Sequence, residues 1–428
     1  MANTKDYTKF DKILNKANLI FALFIVFLPL TISAIDLIFG ALVYIDTLLI
    51  FFVIAWLLFY CVYFLKGGRI RLKSFLKSPI FYILLSMVLW IILSCIFTNT
   101  FNSGVMVILG YVLAGISVFL LKKEHRMIVI NCMIVMMTIC VIMGFFDPYN
   151  QFMPGFLPDA YRYSMQFYNP NHTANAVAII LALVIGMIVT TKVVWQKCLY
   201  ILSFILLTTH MFVNGSFASL IAIFVGMIIY FIYKWIVTKK LPVDLLLIIC
   251  GFCMLSVIVD VVPFLRDIKF NDHGFFTECL AVFDNVFGTN LCWQISGMST
   301  VPGADGWSRW ELWSMSLQYM GESPIFGKGV GFCRNELRPH NAILYLCVDF
   351  GIVMGLLYIA LFVMIIISTF KNRSKSPITI PLIISIITYF IAGIFGNIKT
   401  QGFIYFVIVV AMILRDNKKI EKSDNFSE

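Results

Sequence analysis

The chain has 428 residues, of which 61% are hydrophobic and 13% are charged, and its formal net charge is +10. Soluble globular proteins are about 45–50% apolar and about 25% charged. The composition therefore argues against a water-soluble enzyme, a disordered chain and a nucleic-acid-binding domain, and it predicts an all-α polytopic membrane protein.

Apolar segments long enough to cross a bilayer, or nearly so, follow one another along the chain. The first nine predicted transmembrane helices lie within residues 1–263 and the last three within 340–414. A long loop at 264–339 separates the two groups, and residues 415–428 form a tail. The twelve predicted helices are at 17–38, 44–65, 79–97, 105–121, 128–146, 172–190, 198–214, 217–236, 243–263, 340–368, 378–396 and 402–414.

The basic residues lie in short clusters between alternate predicted helices. If both termini are cytoplasmic, 24 of the 32 lysines and arginines lie on the cytoplasmic side. Because basic residues are enriched in cytoplasmic loops, this pattern predicts an N-in, C-in topology. The same topology places the loop at 264–339 outside the cytoplasm, directly before the tenth helix. The net charge therefore indicates orientation in a membrane rather than a nucleic-acid partner.

Three predicted helices start at the outer face directly after polar sequence. Asn169 suits an N-cap and Pro170 a first helical position, while Ser216 suits the cap of the eighth helix. Arg338 and His340 stand before the tenth helix. Helix N-termini with arginines nearby in the chain are typical of anion-binding sites, so the first and third of these helix starts, which follow Arg162 and Arg338, are candidates for binding an anion.

Gly327, Gly329 and Gly331 alternate with other residues in the outer loop. Their spacing departs from the ATP-binding pattern G-x-x-x-x-G-K-[ST], so we expect a loop with positive φ angles and exclude an ATP-driven pump. The sequence has no H-E-x-x-H motif and no acidic pair spaced as a metal site. We therefore expect neither a metal ion nor a cofactor. Cys279 and Cys292 lie in the same loop, and the sequence does not decide whether they form a disulfide.

Four segments in chain order resemble the O-antigen ligase and O-antigen polymerase superfamily. The family's pattern is an outer Arg followed by N-P-N, an Arg followed by aromatics, a P-x-x-G-x-G loop, and H-N-x-x-L leading to an acidic residue and Gly. The matching topology, with the largest outer loop before the His-bearing helix, implies a GT-C-like membrane glycosyltransferase. The segments are Arg162 to Asn171, Arg309-Trp-Glu-Leu-Trp, Ser323-Pro-Ile-Phe-Gly-Lys-Gly-Val-Gly331, and His340-Asn-Ala-Ile-Leu-Tyr-Leu-Cys-Val-Asp-Phe-Gly351.

The resemblance implies glycosyl transfer at the outer face from a polyprenyl-diphosphate-linked saccharide to a glycan acceptor. His340 is then the catalytic base that takes the acceptor hydroxyl proton, since an unperturbed His has a pKa of about 6.5. Guanidinium groups suit the departing diphosphate, and the candidates are Arg162, Arg309 and Arg338. Supporting residues are expected at Asn169, Asn171, Asn341, Gly329, Gly331 and Asp349.

Some of these residues have other interpretations. His340 suits a capping or interfacial position, and His172 is a rival base. Asp349 lies nine residues after His340, which in a continuous helix is the opposite face, so we expect it to stabilise helix packing. Arg309 has acidic neighbours in Glu311 and Asp305, and it can pair with either.

The sequence departs from the family at one position. Where the family often has an Arg at the start of the eighth helix, this chain has Phe217. Either that phosphate contact is dispensable, or Arg334 or Arg338 supplies it.

Three functions follow from this reading. The first is a polymerase that joins lipid-linked repeat units into a capsule, exopolysaccharide or O-antigen chain. The second is a ligase that moves a finished glycan to a lipid or protein acceptor, and the third is a transporter of lipid-linked oligosaccharide, which should show paired interrupted helices. The expected location is the bacterial cytoplasmic (inner) membrane. The expected partners are the donor, the acceptor, the bilayer and other membrane proteins of polysaccharide assembly.

Overall fold

The structure is a computed structural model that describes residues 4–39, 45–66, 78–100, 103–146, 170–267, 309–337, 339–371, 379–395 and 400–415. All regular secondary structure in these ranges is helical. The helices before residue 268 are α1 (Thr4–Phe39), α2 (Ile45–Leu65), α3 (Pro79–Thr98), α4 (Ser103–Phe119), α5 (Lys123–Phe146), α6 (Pro170–Thr190), α7 (Val194–Asn214), α8 (Phe217–Thr238), α9 (Val243–Val261) and α10 (Pro263–Asp267).

The remaining helices belong to the last third of the chain. A π-helical turn (Cys333–Leu337) stands between the first two of them. They are α11 (Arg309–Glu322), α12 (Ala342–Phe350), α13 (Ile352–Lys371), α14 (Thr379–Phe395) and α15 (Thr400–Arg415).

Within the described residues, stretches of α2, α3 and α5 to α9 are long and apolar enough to cross a membrane. Shorter apolar stretches lie in α4, α13, α14 and α15. The prediction of an all-α, multi-pass membrane protein is therefore confirmed. The count of twelve spans and the N-in, C-in orientation stay predictions. Two helices extend beyond the predicted spans, since α1 begins at Thr4 and α5 at Lys123, where charged side chains continue the helix outside the apolar segment.

The prediction of one continuous helix at 340–368 is wrong. The chain forms the short helix α12, breaks at Gly351 and continues as α13. Gly351 has φ +87°, and a Cβ there would lie 1.7 Å from the carbonyl oxygen of Ile325. Only glycine fits this backbone and this close approach, which hydropathy does not register.

Helix α6 lies at the centre of the bundle, packed against α5, α7, α8, α14 and α15. Its side chains are buried almost all round, as expected for a helix that is apolar on every face. Gly186 lets α14 approach closely, since a Cβ there would lie 2.3 Å from the Cα of Pro381. The centre of the molecule is therefore a tightly packed helical core.

Candidate functional site

The glycine loop, residues 326–332, is held by its own backbone N–H groups. Lys328 N donates to Val348 O (2.7 Å), and Gly329 N donates to Asp349 O (2.9 Å). Gly327, Gly329 and Gly331 have φ angles of +73°, +101° and +89°, which confirms the predicted positive φ. These N–H groups point at protein acceptors, so the loop is a structural connection to α12 rather than a phosphate-binding cradle.

Asp349 fastens the end of this loop. Its Oδ2 accepts from Gly331 N (3.1 Å) and its Oδ1 from Cys333 N (2.8 Å). The side chain is buried, and burial raises the pKa of this carboxyl to about 6, against the opposing effect of the two N–H donors. We expected Asp349 to stabilise helix packing. More specifically, its carboxylate joins the end of the glycine loop to α12.

Helix α3 docks on the same unit through three side chains that the sequence analysis missed. Ser94 Oγ donates to Phe326 O (2.6 Å), and Trp90 Nε1 donates to Phe350 O (2.9 Å). Thr100 Oγ1, just beyond the end of α3, accepts from Val330 N (3.1 Å). The available signal was that Trp90 and Ser94, four residues apart, place polar groups on one face of an apolar helix.

His340 has a backbone conformation that its neighbours impose. Its φ is +50°, and it stands just outside α12, which begins at Ala342. The other two non-glycine residues with positive φ in the described part of the chain, Asn99 and Lys239, are helix C-caps, where that conformation is ordinary. His340 instead precedes a helix, and strain of this kind is concentrated at functional sites. Its side chain is partly exposed.

Three hydrogen bonds fix the backbone on either side of His340. Asn341 caps α12, its Oδ1 accepting from Ile343 N (2.9 Å) and Leu344 N (3.1 Å). On the other side, Trp313 Nε1 donates to Pro339 O (3.0 Å). His340 lies outside the helix. The prediction that His340 and Asp349 lie on opposite faces of one continuous helix therefore does not apply.

Helix α11 carries Arg309 as its first residue, one turn before Trp313. A small apolar cluster joins α11 to α12 through the π-helical turn. The backbone of Arg309 is therefore one helical turn from Trp313, and Trp313 contacts Pro339, the residue directly before His340. The members of this cluster are Leu312, Cys333, Leu337 and Val348.

Several predicted site residues have no described side chain. Arg309 and Asn171 are placed in α11 and α6 by backbone only, as are the rival base His172 and the departure Phe217 at the start of α8. Pro170 is the first residue of α6, as predicted. Outside the described residues lie Arg162, Asn169, Cys279, Cys292 and Arg338.

A second polar region lies where α6, α7 and α8 meet. Ser219 Oγ donates to Asn175 Oδ1 (2.6 Å) and lies 3.4 Å from Ser216 Oγ. Ser216 stands at the N-cap position of α8, but its side chain makes no capping hydrogen bond, because it faces Ser219 instead. Asn214 and His210, which lie shortly before Ser216 in the sequence, are buried residues of α7.

No protein-family model and no curated protein sequence matches the chain. Among the described residues, no three His, Cys, Asp or Glu side chains are grouped so that they would share a metal ion.

Proposed function

We propose that the chain is a membrane glycosyltransferase of the O-antigen polymerase type. It joins polyprenyl-diphosphate-linked saccharide units into a surface polysaccharide at the outer face of the bacterial cytoplasmic membrane. The observation that carries the proposal is the hydrogen bond from Trp313 to Pro339, which holds the start of α11, with Arg309, against the strained turn at His340. Two motifs that the resemblance identified thus meet in one structural unit.

In the proposed reaction, the acceptor hydroxyl attacks the anomeric carbon of the donor saccharide. The new glycosidic bond forms as the bond from that carbon to the diphosphate oxygen breaks, and the electron pair leaves with the polyprenyl diphosphate. The imidazole of His340 takes the hydroxyl proton. Guanidinium groups at Arg309, Arg162 and Arg338 offset the charge that builds on the diphosphate.

The supporting residues keep this unit rigid. Asn341 fixes the start of α12, and Asp349 and Gly329 join α12 to the glycine loop. Because His340 has an unfavourable φ, its conformation depends on these neighbours. Asn341 and Asp349 therefore act as positioning residues, and neither is proposed to touch the substrate.

The interruption at Gly351 is the one described feature that favours a transporter, since transporters bind ions at broken helices. The backbone groups freed by this break are occupied by protein. Ile352 N donates to Pro324 O (2.8 Å), and Phe350 O accepts from Trp90. The break is thus closed by the glycine loop and α3, which supports a rigid catalytic unit over an ion site.

The test is synthesis by the purified protein. Detergent-solubilised or reconstituted protein is incubated with a polyprenyl-diphosphate-linked repeat unit, and the products are separated by size. We expect a ladder of multiples of the unit, lost in His340→Ala and kept in the matched variant His125→Ala. His125 is hydrogen-bonded to Asn15 and lies near the start of α5, at the end of the bundle opposite His340.

Absence of any ladder with folded wild-type protein would contradict the polymerase proposal. Transfer of a single preassembled glycan to an added acceptor would identify a ligase instead. A ladder made equally well by His340→Ala would refute the proposed role of His340.

A further inference from the structure

A group of lysines lies at one end of the bundle, where α7 starts, α8 ends and α9 starts. Two residues connect α7 to α8 and four connect α8 to α9, so consecutive helices run in opposite directions and these three ends lie together. The three helices also pack side by side, since the ring centroid of Phe252 on α9 lies 4.9 Å from that of Phe212 on α7 and 6.0 Å from that of Phe224 on α8. We call this end the lysine surface, and its lysines are Lys192, Lys197, Lys234, Lys239 and Lys240.

Most of the positive charge of the lysine surface is not neutralised by these helix ends. Asp244 is the one acidic residue within 190–200 and 233–247. Its Oδ2 accepts a hydrogen bond from Lys234 Nζ at 2.6 Å, so the charges of these two side chains offset each other. The other four lysines are exposed or partly exposed. The surface therefore presents four positive charges to its surroundings.

The turn between α8 and α9 fixes the position of two adjacent lysines. Lys239 has φ +56°, and its backbone N–H donates to Trp235 O (2.8 Å). The backbone N–H of Lys240 donates to Thr238 Oγ1 (3.3 Å). Hydrogen bonds within the turn thus hold both lysines at the end of α8, with their side chains exposed.

Exposed aromatic and apolar side chains adjoin the lysines. Trp195 on α7 and Trp235 on α8 are 64% and 51% exposed. Tryptophan is enriched at the level of the lipid headgroups, so these two residues place the lysine surface at the membrane–water interface. Exposed leucines continue from it along α7 and α9, among them Leu199, Leu202 and Leu247. A positively charged edge beside an exposed apolar surface matches a lipid with an anionic headgroup better than a nucleic acid or a small soluble anion.

We propose that the lysine surface binds an anionic phospholipid, with the phosphate at the lysines and the acyl chains along α7 and α9. Ammonium groups donate charge-assisted hydrogen bonds to phosphate oxygens, and basic clusters next to transmembrane helices attract anionic lipids. The aliphatic part of each lysine remains on the apolar surface while the ammonium group reaches the headgroup. Lipid binding here does not depend on the reaction proposed for His340, so a failure of the proposed function leaves this assignment unaffected.

The direct test is native mass spectrometry of the full chain in detergent, titrated with dioleoylphosphatidylglycerol or with dioleoylphosphatidylcholine. The two lipids have the same acyl chains, so a difference in affinity reports the headgroup. We expect the wild type to bind phosphatidylglycerol several-fold more tightly. The double variant Lys239→Gln, Lys240→Gln should weaken that binding by about 10- to 30-fold, since each lysine at a membrane surface contributes a factor of about five.

The matched control is the double variant Lys122→Gln, Lys123→Gln, which removes two adjacent exposed lysines at the start of α5. Its affinity for phosphatidylglycerol should stay close to that of the wild type. Equal affinities of the wild type for the two lipids, or equal losses in the two double variants, would overturn the assignment. Displacement of phosphatidylglycerol by equimolar glycerol phosphate would also overturn it, because a soluble anion would then suffice.

A second measurement is thermal unfolding of the three proteins in nanodiscs. A lipid that binds the folded protein raises its melting temperature. Nanodiscs of phosphatidylcholine alone first show whether each variant is folded. Adding phosphatidylglycerol should then raise the melting temperature of the wild type and of the Lys122, Lys123 variant, and raise that of the Lys239, Lys240 variant less. An equal rise in all three proteins would contradict a site at the lysine surface.

Discussion

Asp349 Oδ1 accepts a hydrogen bond from the backbone N–H of Cys333 at 2.8 Å, across sixteen positions of the chain. Cys333 is the first residue of the π-helical turn that leads to His340. The same carboxyl holds Gly331 through its second oxygen. One buried side chain thus fixes both the exit of the glycine loop and the segment before the proposed base.

The pH dependence of stability should reveal the titration of Asp349. Burial raises the pKa of this carboxyl from 3.8 to about 6, so the folded protein binds the proton more tightly than the unfolded chain. The resulting stabilisation is complete below about pH 4 and is lost as the pH rises through 6. We expect acidification from pH 7 to pH 5 to raise the melting temperature of the wild type relative to Asp349→Asn.

Thermal unfolding of both proteins at several pH values measures this difference. Asn keeps one acceptor oxygen where Asp offers two, so Asp349→Asn also lowers stability at pH 7. Parallel pH profiles for the two proteins would show that Asp349 does not titrate in this range.

Alanine substitutions at two glycines of the loop distinguish the cost of backbone strain from the cost of a steric clash. Both have positive φ, but a Cβ on Gly329 would lie 2.5 Å from Thr100 Cγ2, whereas a Cβ on Gly331 meets nothing within 4 Å. Gly331→Ala should therefore cost only the strain, about 1–2 kcal/mol. Gly329→Ala should lower the melting temperature further, because it also pushes the loop away from α3. Equal effects would mean that the contact with Thr100 does not hold the loop.

Trp313 is expected to act by positioning His340. Trp313→Phe keeps an aromatic side chain, although a smaller one, and removes the N–H that holds Pro339, so turnover should fall by about 10- to 100-fold with donor binding preserved. Trp56→Phe is the matched control, since its indole donates to Ser117 Oγ at 2.8 Å in the core. Steady-state kinetics should show the fall in kcat for Trp313→Phe alone. A similar fall in both variants would indicate a general loss of stability.

The core contact between α6 and α14 can be tested with a pair of glycines. Gly186→Ala places a Cβ against the backbone of Pro381, and overpacking of this kind costs about 1–3 kcal/mol. Gly251→Ala on α9 meets only Phe204, at an ordinary 3.8 Å, and gains helix propensity. We expect a lower melting temperature for the first variant and an unchanged or higher one for the second. The reverse order would contradict the close approach of the two helices.

The helices were largely predictable because the apolar segments are long and each is a local property of the sequence. The positive φ angles of the glycine loop were predictable for the same reason. The break at Gly351 was not, since hydropathy is continuous across it and the obstacle, Ile325 O, comes from a distant turn. The docking of Trp90 on Phe350 joins residues 260 positions apart, which no local pattern encodes.

The candidate site shows the same division. The resemblance included Arg309, Trp313 and His340, but it did not indicate the hydrogen bond from Trp313 to Pro339 that brings their two segments together. Nor did it indicate that His340 lies outside the helix with a positive φ, because that conformation depends on tertiary contacts on both sides. Sequence patterns indicated candidate residues, and tertiary packing determined the geometry of those that the structure describes.

The most direct measurement of the central claim compares donor binding with turnover in variants of one purified protein. Equilibrium binding of a polyprenyl-diphosphate-linked saccharide and its rate of transfer are measured for His340→Ala, Arg309→Ala and Arg309→Lys. His340→Ala should bind donor normally and lose about 10²–10⁴-fold in turnover, because a base acts on the acceptor hydroxyl. Arg309→Ala should lose both, and Arg309→Lys should recover little, since an ammonium lacks the bidentate fork. Normal turnover in folded His340→Ala, or normal donor binding in Arg309→Ala, would contradict the account.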